Sequence, residues 1–321
     1  MTTPKMICVG SAAQDVFLTG KVFTPKCEGG ICYEHLKLGD KFAVEQLIYA
    51  PGGNAMHASV TFARQGLDTS FVGLIGDDPA GQALLAEFDK ESIHTQHVVS
   101  DSEFTTSYST ILLAPNGERT ILNYHGEPLS SRPDIISSDV LKGDWLYVSA
   151  VGSMEVLKTI VTTAKTNGMK IAFNPATAEL AHPQACADIF EHIDLLALNK
   201  EEAQLFVDGT DIVTLARELA KSTEYVLVSD GPRGAVATDG TVLVKAGLYE
   251  DVPVIDRTGA GDAFTSGFVA HVATGASLKK ALIFASANST SVVGAIGATE
   301  GILHTGADIH DMPVEEVDHN E

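Results

Sequence analysis

The sequence predicts an α/β protein with a mainly parallel sheet covered by helices. Three observations carry this: short apolar runs recur along the chain, segments with helical spacing lie between them, and 321 residues suffice for about two domains or for one large α/β domain with an appendage. Hydrophobic residues make up 45% and charged residues 20%, which excludes wholesale disorder.

The expected buried strands are Met6 to Val9, Phe71 to Ile75, Trp145 to Val151, Lys170 to Phe173, Leu195 to Leu198 and Tyr225 to Val228. Asn54 is the expected cap of a helix that runs through Phe62 and stops at Gly66, and Asp78-Pro79 opens another with Leu84, Leu85 and Phe88 on one face. Asp262 begins a third, in which Phe264, Phe268 and Val272 recur every fourth residue. Two regions break the rhythm. Val16 to Ala50 carries short runs broken by Pro25 and Gly29-Gly30, and Thr105 to Tyr124 reads as two strands around Pro115-Asn116-Gly117. Together they predict a small β lid (16–50 and 105–124) on a core of 1–15, 51–104 and 125–310. Residues 311–321 hold five carboxylates and no lysine or arginine, the composition of a solvated acidic tail.

The 42 acidic residues against 21 basic ones give a net charge of −21, which opposes binding to nucleic acid or an anionic membrane. Cys8, Cys27, Cys32 and Cys186 are too sparse for a disulfide scaffold and read as reduced thiols. The first residues lack a basic start followed by an apolar stretch, and no run approaches the roughly 20 apolar residues of a membrane span. A cytoplasmic protein is the expectation.

Chemistry concentrates in Asp256-Arg257-Thr258-Gly259-Ala260-Gly261-Asp262-Ala263-Phe264. Small residues at a helix start leave free amides that attract and orient a phosphate, and an aspartate in the first turn can take the proton from an attacking hydroxyl. By itself the segment also reads as a plain turn with Asp262 offsetting the helix dipole.

This string resembles the C-terminal signature of the ribokinase-like, or PfkB, family of carbohydrate and nucleoside kinases. A second resemblance lies in Pro51-Gly52-Gly53-Asn54-Ala55-Met56-His57-Ala58, followed by Gly66 and by Val72 to Gly81. Asn174-Pro175, Asn199-Lys200-Glu201-Glu202 and Ser229-Asp230-Gly231-Pro232-Arg233-Gly234 follow in the family's order, so the likeness spans about residues 5 to 305. It implies a ribokinase-like three-layer α/β/α fold with a small β-sheet lid, and a kinase using ATP, Mg2+ and K+ on a sugar or nucleoside.

The roles it implies are specific. Asp262 is the catalytic base, and the amides of Gly259, Ala260 and Gly261 form the anion hole. Asp15, Gly52, Gly53 and His57 face the acceptor. Asn199, Glu202, Ser229, Gly231, Gly234 and Ser286 serve the nucleotide, with Glu202 helping to place magnesium either directly or through water. Asp256 and Thr258 match monovalent-cation positions, with carbonyls from Val292 to Gly301. Read without the resemblance, Glu202 is equally an exposed helix acid, Asp15 a loop aspartate, the Ser229 to Gly234 stretch a β-turn, and Ser286 a packing residue. A homodimer joined through the lids is the implied assembly; a monomer with a closed-off lid edge is the alternative.

Three departures bear on the substrate. Sugar kinases of the family commonly carry asparagine where His57 stands, and imidazole is bulkier, with one donor when neutral and a charge near pH 6.5. Ribose kinases place glutamate where this chain has Val151, which counts against ribose. Arg64 and Arg257 are not evidently aimed at a second phosphate, which favours an unphosphorylated acceptor. Tyr108 and Tyr124 suit a nucleobase, a sugar face or plain lid packing. The expectation is a phosphotransferase acting on a hydroxymethyl group of a small sugar, with a nucleoside kinase or a non-catalytic nucleotide or polyol sensor as alternatives. A dinucleotide oxidoreductase fails on its first turn, Gly10-Ser11-Ala12-Ala13-Gln14, which lacks G-x-G-x-x-G. His94 and His97 have no further ligands in the sequence to complete a zinc site.

Overall fold

The structure is a computed structural model and describes residues 3–249 and 252–317. In chain order the first strands are β1 (Lys5–Gly10), β2 (Ala13–Thr19), β3 (Lys26–Glu28), β4 (Ile31–Tyr33), β5 (Gln46–Gly52), β6 (Asp68–Gly76), β7 (His94–Asp101) and β8 (Ser107–Leu113). They continue as β9 (Arg119–Tyr124), β10 (Trp145–Ser149), β11 (Lys170–Asn174), β12 (Leu195–Asn199), β13 (Tyr225–Ser229), β14 (Ala235–Thr238), β15 (Leu243–Ala246) and β16 (Val314–Val317). The helices are α1 (Asn54–Arg64), α2 (Pro79–Lys90), α3 (Met154–Thr166), α4 (Thr177–Leu180), α5 (Pro183–Ala187), α6 (Lys200–Ala203), α7 (Ile212–Leu219), α8 (Ala260–Ala273) and α9 (Leu278–Val292).

Ten strands form the central sheet, in the order β16-β15-β14-β13-β12-β11-β10-β1-β6-β7. From β13 to β7 all pairs are parallel, and each expected apolar run is one of these strands. The strands alternate between two cores, as the two-residue pleat requires. Met6 and Cys8 of β1 and Trp145 and Tyr147 of β10 share a core with Phe62 of α1 and Phe268 of α8. Ile7, Val9, Leu146 and Val148 point to the opposite core with Ile160 of α3 and Leu215 of α7. Burial on both faces explains why these strands read as continuous apolar runs.

A second sheet, ordered β5-β2-β8-β9, joins the two segments that break the βα rhythm. It is mixed, because β2 runs parallel to β8 and antiparallel to β5. Phe17, Ala50, Ile111 and Leu113 pack its inner face. Leu47, Tyr49, Leu122 and Tyr124 are exposed. Asp78 ties this sheet to the core: its Oδ1 caps α2 through the Gly81 amide at 2.8 Å, and its Oδ2 accepts the Thr106 amide at 2.9 Å.

Four local expectations are corrected. The cap of α1 is Gly53, and Asn54 is the first helical residue with no capping bond, because the chain arrives from β5 with a sharp turn at the glycine. The third helix begins at Ala260, two residues before Asp262. Cys27 and Cys32 form a disulfide rather than free thiols, since the two-residue Gly29-Gly30 turn, with φ of 60° and 84°, sets them opposite one another across the β3–β4 hairpin. Cys8 and Cys186 are free and buried. Finally, the acidic tail adds a strand: Val314–Val317 pairs antiparallel with β15, using Val314 and Val317 against the sheet edge, while 318–321 lie outside the described residues.

Candidate active site

Gly259 caps α8 in the left-handed conformation, with φ of 75°, and a Cβ there would lie 2.1 Å from the Ala298 Cβ. Only glycine serves both demands. At the start of α8 the position of a Gly261 Cβ meets nothing within 4 Å. The Ala260 amide reaches the Arg257 carbonyl only at 3.4 Å, and open space above such a helix start is a place for an anion. Asp262, third in the helix, stands beside it.

Asp262 Oδ2 is 2.7 Å from Nδ1 of His57 on α1, and His57 Nε2 lies 3.3 Å from the Pro51 carbonyl. Burial alone would lower the His57 pKa, but the Asp262 hydrogen bond and charge, the Asp15 charge and the Pro51 carbonyl outweigh it and raise it above 6.5. Below this pair, Ser266 Oγ sits 2.6 Å from the Asp262 carbonyl and 2.8 Å from Thr61 Oγ1, while Thr61 donates to the His57 carbonyl at 3.3 Å. His57 and Asp262, 205 residues apart in sequence, thus pin α1 against α8.

Asp15 lies on β2 of the smaller sheet and is 5% exposed. Burial raises its pKa, against the nearby His57 and the Ser109 hydroxyl, and the charges of Asp262 and Asp256 raise it further. Gly52 makes room for it: a Cβ there would lie 2.2 Å from Asp15 Oδ1. Gly53 packs as closely on the next segment, its Cβ position 2.6 Å from the Ser11 carbonyl. Asp15, Gly52, Gly53, His57 and Asp262 therefore converge.

Asn199 and Glu202 form a reciprocal cap of α6: the Glu202 amide donates to Asn199 Oδ1, and the Asn199 amide donates to Glu202 Oε2, both at 2.9 Å. Burial raises the Glu202 pKa, and the charges of Glu201 and Asp262 add to it. Ser229 ends β13 beside Asn199 on β12. Gly231 opens the short turn that follows, and Gly234 ends it where a Cβ would lie 2.1 Å from the Ala246 carbonyl. Within that turn Asp230 accepts from Arg233 Nε at 2.8 Å, with Lys200 Nζ 3.8 Å away. Ser286 on α9 is 8% exposed, and its buried Oγ has no protein partner. Asp256 is fully buried, accepting the Thr258 amide and hydroxyl at 2.9 and 2.7 Å and the Gly297 amide at 3.1 Å.

Other residues do not join the site. Arg64 binds Glu91 and the carbonyls of Thr299 and Ile302, and Arg257 lies 3.5 Å from Glu118. Val151 is buried. His94 pairs with Asp68. Sequence reasoning missed Tyr147, fully buried, whose hydroxyl pKa is raised well above 10 by burial and then by Asp262 and Cys8. An aromatic in an apolar strand gives no sign that its hydroxyl faces a polar site.

The pattern of the pfkB family carbohydrate kinases matches residues 29–305. The chain belongs to this family. As a family member it is a kinase. The pfkB chain is 26% identical over 278 residues to a ribokinase of Haemophilus influenzae, covering 83% of this chain and 88% of the relative. It is 29% identical over 245 residues to a fructokinase of Klebsiella pneumoniae, covering 71% and 78%. The solved Arabidopsis thaliana ribokinase complexed with ribose and ATP superposes with a TM-score of 0.77 at 22% identity, over 95% of this chain and 96% of that one. The Burkholderia thailandensis nucleoside kinase in complex with inosine gives 0.77 at 19%, over 93% and 94%. The fold is that of the ribokinase family.

Proposed function

We propose that this kinase transfers the γ-phosphoryl group of ATP to a hydroxymethyl group of a small, unphosphorylated sugar, as the ribokinase and fructokinase relatives' names suggest. The carrying observation is the convergence of Asp262, at the free-amide end of α8, with the buried carboxylate of Asp15. A buried carboxylate satisfies itself best with hydroxyl donors, which a polyol supplies in pairs. Asp15 holds the acceptor, Asp262 takes the proton of the reacting hydroxyl, and the amides of Gly259, Ala260 and Gly261 stabilise the charge on the moving phosphoryl group. Asn199, Glu202, Ser229, Gly231, Gly234 and Ser286 line the nucleotide side.

The residues fit the ions a kinase of this kind needs. Among the described residues no three His, Cys, Asp or Glu side chains form a metal cage. Magnesium therefore suits the site as an ion carried on the triphosphate, where it offsets phosphate charge. Glu202, with one oxygen taken by the Asn199 amide, keeps Oε1 for the ion's water shell. Asp256 is fully buried, and among the described residues no lysine or arginine pairs with it, the setting in which a carboxylate seeks a cation such as potassium. Thr258 sits beside it as a second oxygen ligand.

A nucleoside acceptor is the second reading. Tyr108 and Tyr124 pair across β8 and β9 and offer rings to a nucleobase. The exposed apolar side chains of the smaller sheet, Tyr49 and Leu122 among them, support a homodimer through the lid. The test is ADP release with ATP, magnesium and potassium against a panel of sugars and nucleosides. A signal dependent on one sugar is expected; a nucleoside-only signal selects the second reading, and silence with ligand binding intact points to a sensor.

A further inference from the structure

Both ring nitrogens of His57 face oxygen acceptors: Nδ1 the Asp262 carboxylate at 2.7 Å, and Nε2 the Pro51 carbonyl at 3.3 Å. A neutral imidazole has one N–H, so one of these oxygens would meet a ring lone pair. Only the doubly protonated ring donates to both. The side chains of His57 and Asp262 are 6% and 18% exposed, so water does not fill in for a missing donor at the histidine.

We propose that His57 is a positioning residue: a buried imidazolium that clamps Asp262 Oδ2 to the α1 entry turn, leaving Oδ1 to receive the acceptor proton. This rests on the reading of Asp262 as the base. In the reaction the acceptor O–H proton passes to Asp262 Oδ1, and the oxygen's electron pair forms the bond to the γ-phosphorus. The bond from that phosphorus to the β,γ-bridging oxygen breaks, its pair leaving on ADP. His57 keeps its proton throughout. The positive charge faces both Asp262 and Asp15 and offsets the repulsion between two acids at one acceptor site.

The clamp is titratable. Facing His57 or its helix are Asp262 from α8, Asp15 from β2, Tyr147 from β10 and Cys8 from β1; β5 presents only the Pro51 carbonyl, and Asp68 of β6 is engaged by His94. With the His57 pKa raised, the charge is present below the ordinary value of 6.5 and is lost as pH rises through the higher folded value. One of the two bonds then fails and Asp262 loosens.

The test has two arms. The first measures kcat against pH for the wild type, His57→Asn and His57→Ala. The wild type should lose turnover on the alkaline side above pH 6.5, His57→Asn should lack that limb, and His57→Ala should lose about a hundredfold in kcat with the ATP KM within about twofold. An alkaline limb shared by wild type and His57→Asn overturns the proposal, as does a raised acceptor KM with unchanged kcat, which marks an ordinary substrate contact. The second arm follows the His57 ring by NMR without substrates. Its midpoint should lie above 6.5 and fall in Asp262→Asn; a midpoint below 6.5 in the wild type refutes the clamp. If no acceptor supports turnover, the functional reading fails on the first arm while the second still decides the clamp.

Discussion

Gly52→Ala tests the role of Asp15 without removing a polar atom. A Cβ at Gly52 would lie 2.2 Å from Asp15 Oδ1, 2.4 Å from its Cγ and 2.7 Å from Oδ2, about 1.2 Å short of ordinary contact at about 3.4 Å. Gly52 lies on strand β5 outside the left-handed region, so alanine meets no backbone penalty and the collision alone acts. The carboxylate cannot retreat freely, because Asp15 is 5% exposed and packed by its own strand. Overpacking of this kind costs about 1 to 3 kcal/mol of stability, and misplacing a positioning group by about 1 Å costs about a hundredfold in turnover efficiency. The assay is kcat/KM for the acceptor, with ATP affinity and the thermal midpoint measured alongside. Acceptor kcat/KM should fall about a hundredfold while ATP affinity holds. The Asp15→Ala and double variants complete a cycle: with Asp15 already shortened, the Gly52→Ala change should cost little more. Additive losses, or an acceptor kcat/KM within twofold of wild type in Gly52→Ala, would refute the placement of Asp15 against the acceptor.

Two further predictions follow from the packing. Gly261→Ala meets nothing within 4 Å, so it should raise stability by about 0.5 to 1 kcal/mol while placing a methyl in the anion cradle and lowering kcat; equal kcat with a higher melting temperature would remove Gly261 from the site. Arg64→Met strands the Glu91 carboxylate, buried with it at 10% and 8% exposure, and should destabilise by about 3 to 5 kcal/mol by denaturant melts. Burial pushes the Glu91 pKa up, but Arg64 and Lys90 pull it below 4.5, so its contribution is present above pH 4.5 and lost as pH falls through the lower folded value. The acid side of the wild-type stability curve should therefore be steeper than that of the variant, and parallel curves would contradict the pairing.

The central strands were legible because burial on both faces leaves an uninterrupted apolar run, as in Leu195 to Leu198. The edges were not. β16 carries Glu315 and Glu316 between its two valines, and an exposed edge strand with that composition reads as tail. The disulfide does have a signal in the sequence, since Gly29-Gly30 between Cys27 and Cys32 is the spacing of a two-residue hairpin turn that brings two cysteines face to face. The local geometry of Gly259 to Asp262 and of Asn199 with Glu202 was readable because helix starts and reciprocal caps are local devices. The contact between His57 and Asp262 was not, because nothing in either motif encodes how α1 and α8 pack.

The claim that Asp262 is the base is tested most directly by Asp262→Asn in single-turnover ADP release with the best acceptor. The account predicts a loss of about a hundredfold to ten-thousandfold in the rate of the chemical step, with ATP binding and the melting temperature close to wild type. Turnover at the wild-type rate in the asparagine variant would contradict it.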